Sequence, residues 1–332
     1  MAKASPKTPP RELSTVLDFI RYAITRFVGA KLAFGQGTYD AVEEAIFLVS
    51  EALGLPVNGI DPFLPARMTA GERRRIFTLI EKRVRLRMPA AYLLNCAYLQ
   101  GTPFYVDKRV IVPRSYLAEL LYSDLFRGEE PLVDPNAVRR ILELCTGAGC
   151  LAILACEIFP NAHVDAIDIS DKALQVADIN VSKHGLKDRI ALLKGDLFEP
   201  IGKTVYDIIL ANPPYVNAKA LAELPAEYSQ EPRSALAGGA DGMDIVRRIL
   251  AESGTHLRRD GGLLCEVGRG RPILERDYPD KEFLWLDTAE SSGEVFWLAA
   301  AALRAFPQVR ARKRGNKPQT GVADTRASAE PL

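Results

Sequence analysis

The sequence predicts an α/β fold: a parallel sheet wrapped by helices and preceded by a small helical domain. Three observations predict it. From residue 138 onward, apolar strand-like runs alternate with helical stretches over 170–184 and 242–257, the pattern of repeated parallel β-α units. The first of those runs, Val138-Arg-Arg-Ile-Leu-Glu-Leu, leads through Cys145-Thr-Gly-Ala-Gly-Cys into Leu-Ala-Ile-Leu. That is a strand, a glycine turn and a helix start, an arrangement that lets a ligand approach the backbone closely. Before residue 100 the apolar residues instead recur at helical spacing.

In that first part, Val16, Leu17, Ile20, Ala23, Ile24 and Phe27 form one stripe, and Val42, Ala45, Ile46, Val49 and Leu53 form a second. A third helix opens with the capping box Thr69-Ala-Gly-Glu72 and turns Ile76, Leu79, Ile80 and Leu86 inward. Helices with such stripes bury them against one another as a small bundle. The third helix also bears Arg73, Arg74, Arg75, Lys82, Arg83, Arg85 and Arg87. This is either a face for RNA or for a protein embedded in it, or a solvated face interrupted by Glu72 and Glu81.

Next, Phe104-Tyr-Val and Val110-Ile-Val flank Asp107-Lys-Arg and read as a hairpin joining head to body, with Pro113-Arg114 ending near the ligand mouth. Strands follow over 138–144, 162–169, 190–194 and 206–211, and the runs 283–286 and 294–299 close the sheet. Residues 216–241 read as a long loop, and loops of that length in a compact domain are usually lids or binding segments. Glu231 or Arg233 is expected to fix its geometry over the substrate through ion pairs within the loop, with Glu227 and Tyr228 beside them. The resulting divisions are a disordered tail 1–14, a helical substrate-recognition domain 15–100, a hairpin and linker 101–137, a catalytic body 138–305 and a basic disordered tail 306–332.

The chemistry is carried by Asn212-Pro213-Pro214-Tyr215, directly after the strand-like run Tyr206-Asp-Ile-Ile-Leu-Ala. The prolines fix their own φ and hold the preceding residues out of helix. The Asn212 carboxamide oxygen and the Pro213 carbonyl can then accept the two N–H groups of one planar –NH2, while Tyr215 flanks its face. An amide or aromatic amine nitrogen is a poor nucleophile. Holding both hydrogens aims its lone pair and stabilises it as it pyramidalises. A proline-rich turn with an incidental asparagine is the plainer alternative if this motif is taken alone.

Other features stand in order at successive strand ends. Gly147-x-Gly149-x-x-Ala152 also satisfies a dinucleotide fingerprint, so the glycines alone do not choose a cofactor. Glu143 would face a cationic amino-acid moiety and repel a pyrophosphate. Asp168 is placed for two ribose hydroxyls, and Asp196 for an adenine amino group. Each acid, taken singly, reads equally as a helix cap or a solvated strand end. A dinucleotide enzyme would explain Asp168 but would not need the 212–215 socket. S-Adenosylmethionine is therefore the better ligand, held by Glu143, by turn residues Cys145, Thr146, Gly147, Ala148 and Gly149, and by Asp168, Asp196, Leu197 and Asn212.

From about Phe34 to Ala301 the chain resembles the class I S-adenosylmethionine methyltransferases, and among them the N(5)-glutamine methyltransferases of the HemK/PrmC and PrmB group. Phe34-Gly-Gln-Gly-Thr, Phe104-Tyr-Val-Asp-Lys-Arg-Val-Ile-Val-Pro-Arg-Ser, Cys145-Thr-Gly-Ala-Gly-Cys, Leu224-Pro-Ala-Glu-Tyr-Ser-Gln-Glu-Pro-Arg-Ser-Ala-Leu and Cys265-Glu-Val-Gly carry the likeness. The resemblance implies a Rossmann-like seven-stranded sheet whose last strand runs antiparallel. It also implies methylation of a glutamine side chain, in ribosomal protein L three or an assembling large ribosomal subunit. Cys145 favours that branch, since release-factor enzymes more often have glycine there. Glu143 stands where aspartate is commoner, Ala148 where serine or threonine is usual, and Ser229-Gln230 where Arg-His is expected. The change at 229–230 leaves room for altered substrate detail.

Composition fits without deciding. The chain has 332 residues, 48% hydrophobic and 26% charged, with a formal net charge of +1, ordinary for a globular protein. Five cysteines without a CxxC pair indicate neither a disulfide framework nor a zinc site. Neither a signal-like apolar segment nor a run of 18 apolar residues is visible, so a cytoplasmic protein is expected. None of the three histidines falls in a motif, so no general base and no metal are expected. The basic tail beyond Pro307 suggests a weak contact with ribosomal RNA or a solubilising role. Release factors as the acceptor, adenine-amino methylation of nucleic acid, and a non-catalytic ribosome-binding role remain as alternative readings of these residues.

Overall fold

The structure, a computed structural model, describes residues 8–306. Three helices form the head: α1 (Val16–Gly29), α2 (Ala41–Leu53) and α3 (Ala70–Leu86), followed by the short α4 (Ala90–Leu94). Capping boxes at Thr15/Asp18 and Thr69/Glu72 start α1 and α3 by satisfying backbone donors that a helix leaves open. Phe19, Phe27, Leu48, Ile76 and Ile80 are fully enclosed between the helices, each burial contributing about 1.5–3 kcal/mol.

The inward faces differ from expectation in detail. Val42 and Leu86 are exposed, while the charged Glu44 and Arg83 are buried against each other. An ion pair across two helices has no periodic signature, so the apolar pattern alone misplaced the face. Leu13 is also buried and Phe306 packs on Tyr278. Ordered chain therefore begins before residue 15, and residue 306 belongs to the core. The rest of the expected tails, residues 1–7 and 307–332, lies outside the described residues.

The connecting hairpin lies upstream of its expected place. Strands β1 (Ala97–Leu99) and β2 (Thr102–Phe104) pair across Gln100-Gly101, both with positive φ, the backbone of a tight two-residue turn. Residues 105–112 make a turn at Asp107 without pairing as strands. The Asn180 side chain takes both the N–H and the carbonyl of Tyr105, at 2.7 and 3.0 Å, and these are groups a strand partner would need. Helices α5 (Tyr116–Tyr122) and α6 (Asp124–Arg127) then lead into the body.

The body runs β3 (Arg140–Leu144), α7 (Cys150–Ile158), β4 (His163–Asp168), α8 (Asp171–Lys183), β5 (Ile190–Lys194), β6 (Tyr206–Ala211), α9 (Ala218–Glu223), α10 (Asp244–Ser253) and β7 (Leu257–Glu266). It ends with α11 (Arg271–Asp277), β8 (Leu284–Asp287), β9 (Ser292–Ala299) and α12 (Ala300–Leu303). Seven strands lie in the order β5-β4-β3-β6-β7-β9-β8. β3 to β7 run parallel to one another and β9 is antiparallel to both β7 and β8. The order reverses between β3 and β6, and such a switch point opens a crevice at the strands' carboxyl ends. β7 escapes a sequence reading because Asp260-Gly-Gly in its middle looks like a turn. The 216–241 segment is more ordered than expected. Asn217 caps α9 through the Ala220 N–H, and two short 3₁₀ segments follow at Ala226–Gln230 and Arg233–Ala235.

Candidate active site

The crevice at the switch point is a cleft whose walls come from four strand ends. Cys145 and Gly147 follow β3, Asp168 ends β4 with Ile169 and Ser170 after it, Gly195 to Leu197 follow β5, and Asn212 and Pro214 follow β6. Pro232, Ser234 and Ala235 of the lid close one side and Arg109 to Ile111 another. Cys145 and Leu197 have positive φ although neither is glycine. Non-glycine residues held there cost roughly 1–3 kcal/mol and cluster at functional sites. Both line this cleft.

The glycine turn is built from within. Glu143 is buried and accepts from the Thr146 hydroxyl and, at 3.1 Å, from the Ala152 N–H, tying the turn to the first turn of α7. Burial pushes its carboxyl up to about 8. Gly149 caps α7 at φ 78°, where a Cβ would press on Ala177 at 3.2 Å. The Ala148 carbonyl accepts from Asn180 at 2.8 Å. Glu143, Thr146, Ala148 and Gly149 thus shape the turn, and none of them lines the cleft.

Asp168 sits at the end of β4. One carboxylate oxygen accepts the Gly147 N–H at 2.9 Å and the other the Ser170 N–H at 2.8 Å. Burial raises its pKa against these bonds, which lower it. Each oxygen keeps acceptor capacity toward the cleft. Asp196 lies across from it, paired with Arg248 of α10 at 3.0 Å. Ile169, Leu197 and Ile245 make the adjoining wall apolar. Burial pushes the thiols of Cys145, Cys150 and Cys265 upward, so these cysteines stay protonated packing groups.

Asn212 to Tyr215 leave β6 at the floor. Asn212 Nδ2 donates to the Arg114 carbonyl at 3.5 Å, which leaves Oδ1 as the free acceptor. Tyr215 O–H donates to Glu266 at 2.8 Å, and burial holds that hydroxyl protonated. Its ring lies on Gly268, where a Cβ would come within 2.7 Å of the ring. Glu266, at the end of β7, also accepts from the Ser115 hydroxyl at 2.7 Å and the Tyr116 N–H at 3.0 Å. Asn212 and Pro214 face the cleft, whereas Tyr215 lines a groove on its other side. Pro213, between Asn212 and Pro214 in the chain, is buried.

The lid is fixed by ion pairs that leave the loop. Glu231, fully buried, takes Arg114 in a two-pronged contact of 2.7 and 2.8 Å and the Val112 N–H at 2.9 Å. The Arg114 guanidinium also lies over the Tyr228 ring. Glu227, also enclosed, binds Arg87 at 2.8 Å and the Ala33 N–H at 3.0 Å in the head. Arg233 is exposed on the lid and makes no ion pair among the described residues.

Residues 130–228 match the family described as Methyltransferase small domain. The chain is 53% identical to the ribosomal protein uL3 glutamine methyltransferase of Bradyrhizobium diazoefficiens, over 91% of this chain and all of that one. It is 51% identical to the protein of the same name from Bordetella pertussis, over 88% of this chain and 97% of that one. For the Burkholderia pseudomallei protein of that name the identity is 50%, over 90% and 98%. The chain belongs to the uL3 glutamine methyltransferase family. Its sheet order is accordingly that of a class I methyltransferase fold, as the resemblance implied.

Within this member of the uL3 glutamine methyltransferase family, sequence reasoning passed over Arg248, Glu266 and the deeper role of Glu227. Glu266 had a local signal, a carboxylate at a strand's end in Cys265-Glu-Val-Gly. Arg248 had none, because its partner Asp196 lies on a distant strand end.

Proposed function

We propose that this chain transfers a methyl group from S-adenosylmethionine to the side-chain amide nitrogen of a glutamine in ribosomal protein uL3. The observation that carries the reading is near-full-length identity of about half to relatives bearing that name. A socket shaped for one planar –NH2 at residues 212–215 supports it.

The residues around the cleft fit S-adenosylmethionine. Asp168 retains acceptor lone pairs for ribose hydroxyls, the Ile169–Leu197–Ile245 wall suits a flat adenine, and Asp196 can accept from its amino group. When bound, the cofactor supplies a methyl carbon made electrophilic by its sulfonium. Asn212 Oδ1 and the Pro213 carbonyl accept the two N–H groups of the glutamine amide, so its lone pair turns out of conjugation. Those contacts strengthen as the N–H groups become more acidic, which stabilises the transition state more than the ground state. The Arg114 carbonyl fixes which way the Asn212 carboxamide points, and Glu231 fixes Arg114. Tyr215, clamped by Glu266 and Gly268, flanks the amide.

No side-chain base is needed, since the methylated nitrogen sheds its proton to water. The histidines are engaged elsewhere or lie outside: His184 and His256 rest on backbone carbonyls at 3.0 Å and His163 is exposed. Among the described residues no helix is long and apolar enough to cross a membrane and no acid, histidine or cysteine cluster could hold a metal. An acceptor of this kind places the reaction in the cytoplasm.

Arg74, Arg75, Lys82 and Arg85 stay exposed on α3, whereas Arg83 is buried against Glu44 and the half-exposed Arg87, just past the helix, pairs with Glu227. The exposed four support a weak contact with ribosomal RNA near the acceptor; filter binding with no salt-dependent affinity would remove it. The function itself is tested by mass spectrometry of ribosomal proteins and release factors from cells with and without this enzyme. Loss of one methyl from a uL3 glutamine is expected. A methyl lost from a release factor instead, with uL3 unchanged, would overturn the assignment.

A further inference from the structure

We propose that the groove between the helical head and the sheet is a peptide subsite, taking an extended, lysine- or arginine-rich stretch of the acceptor beside its glutamine. The inference rests on the function proposed above and adds which sequence context the enzyme reads.

The groove starts at Tyr215 and Glu266, on the side of the 212–215 segment away from the cofactor cleft. It passes between Arg114 and the 35–39 loop of the head. Gly37, Glu43 and Tyr98 are shared with a second cavity that reaches Gln36, Phe47 and Val57 inside the head. The two form one track leading away from the reacting amide.

Its charge is one-sided. Glu43 of α2, Glu119 of α5, Glu266 of β7 and Glu290 of the β8–β9 turn line it, from four separate elements. Arg114 is the one cation among its lining residues, and it is neutralised by Glu231. Three of these carboxylates are held in place by neutral donors: the Ala289 N–H donates to Glu119 at 2.7 Å, Tyr39 O–H donates to Glu290 and the Tyr39 N–H to Glu43 at 2.7 Å. A concave surface of one sign concentrates segments of the opposite sign.

A second observation, independent of charge, points to a main chain. Gln36 is 4% exposed, and its Nε2 is buried without a hydrogen-bond partner among the described residues. Buried amide donors are nearly always paired, so this one calls for an acceptor. Gln36 lines the head end of the track, where a peptide carbonyl of an extended segment supplies that acceptor.

The charge is tested with Glu43→Gln/Glu290→Gln, in which glutamine keeps the acceptor oxygens that Tyr39 uses. Two readouts are taken on folded protein: steady-state methylation of purified uL3 at saturating S-adenosylmethionine, and anisotropy of a fluorescein-labelled peptide with one glutamine flanked on each side by three lysines. The double variant should raise KM for uL3 and the peptide Kd about fivefold, the gain expected from two rim ion pairs. kcat should stay within about twofold, because neither residue reaches the amide socket. The salt dependence of peptide binding should flatten. Gln36→Leu should weaken the lysine-flanked peptide and a serine-flanked counterpart alike, because it serves the main chain. Unchanged KM and Kd in the double variant would overturn the subsite while leaving uL3 methylation standing. Peptide binding that depends on Glu43 and Glu290, with no methylation of uL3 by the wild type, would leave the subsite and sink the proposed acceptor.

Discussion

Replacing Glu227 by glutamine should loosen the lid from the head. Glu227 is 0% exposed and binds Arg87 at 2.8 Å, with Arg83 at 3.8 Å and Glu44 completing a four-charge cluster. The cluster is neutral: two carboxylates face two guanidiniums. Glutamine keeps the volume and the acceptor for the Ala33 N–H, but it leaves two cations against Glu44 alone. Arg83 is 1% exposed and cannot turn to water, whereas Arg87 is 35% exposed and can. Breaking a buried pair costs about 3–5 kcal/mol, and the partial access of Arg87 argues for the lower end, ~3 kcal/mol. That is a large share of a typical stability of roughly 5–15 kcal/mol. Urea unfolding of both proteins measures it. Calorimetry with S-adenosylmethionine should also show weaker binding in the folded variant, since the lid's Pro232, Ser234 and Ala235 wall the cleft. Adding Arg87→Gln restores neutrality and should recover at least about 1 kcal/mol as a coupling energy. A single variant within about 1 kcal/mol of wild type, with unchanged cofactor affinity, would refute the strap.

Three further outcomes are expected. Asp168→Ala removes acceptors from the ribose position and should weaken S-adenosylmethionine binding about 10- to 150-fold by calorimetry, the range for hydrogen bonds to a charged group; unchanged affinity would take Asp168 out of the site. Glu143 makes stability fall with rising pH. Between an ordinary carboxyl pKa of 4.5 and about 8, the native state keeps a proton that the unfolded chain has released, so this contribution is fully present below that window and lost across it. Urea midpoints from pH 5 to 8.5 should therefore decline more steeply in wild type than in Glu143→Gln, and parallel curves would contradict it. Arg114→Lys keeps the charge but not the two-pronged contact with Glu231. It should lower kcat and, because Glu231 anchors the lid beside Pro232, also weaken cofactor binding; an unaltered kcat would mean that Asn212 is oriented without it.

What the sequence made legible is what is local. The Thr69-Ala-Gly-Glu72 box, the Gly147–Gly149 turn and the 212–215 socket each lie within a few residues, where backbone sterics and capping act directly. The placement of Asp168 and Asp196 beside the cleft could be read from the sequence because strand ends converge at a switch point in this kind of sheet. What stayed hidden depends on residues far apart in the chain. Asn180 takes the backbone of Tyr105, so the expected hairpin shifts upstream to Gln100-Gly101. Arg83 and Arg87 looked like part of a basic face until Glu44 and Glu227 drew them inward. Glu143 takes the Thr146 hydroxyl and the Ala152 N–H and so braces the glycine turn, contacts that depend on how the turn folds over the strand end.

The most direct test of the account is the kinetics of Asn212→Ala with uL3 as acceptor. Asn212 Oδ1 is assigned an interaction made chiefly in the transition state, and losing one such aimed group costs about 10²–10³ in rate. The folded variant should bind S-adenosylmethionine as wild type does and methylate the uL3 glutamine at least about a hundredfold more slowly, in kcat as well as kcat/KM. Wild-type turnover by that variant would contradict the mechanism, and a variant that merely unfolds, with no separate rate defect, would reduce the 212–215 segment to a turn.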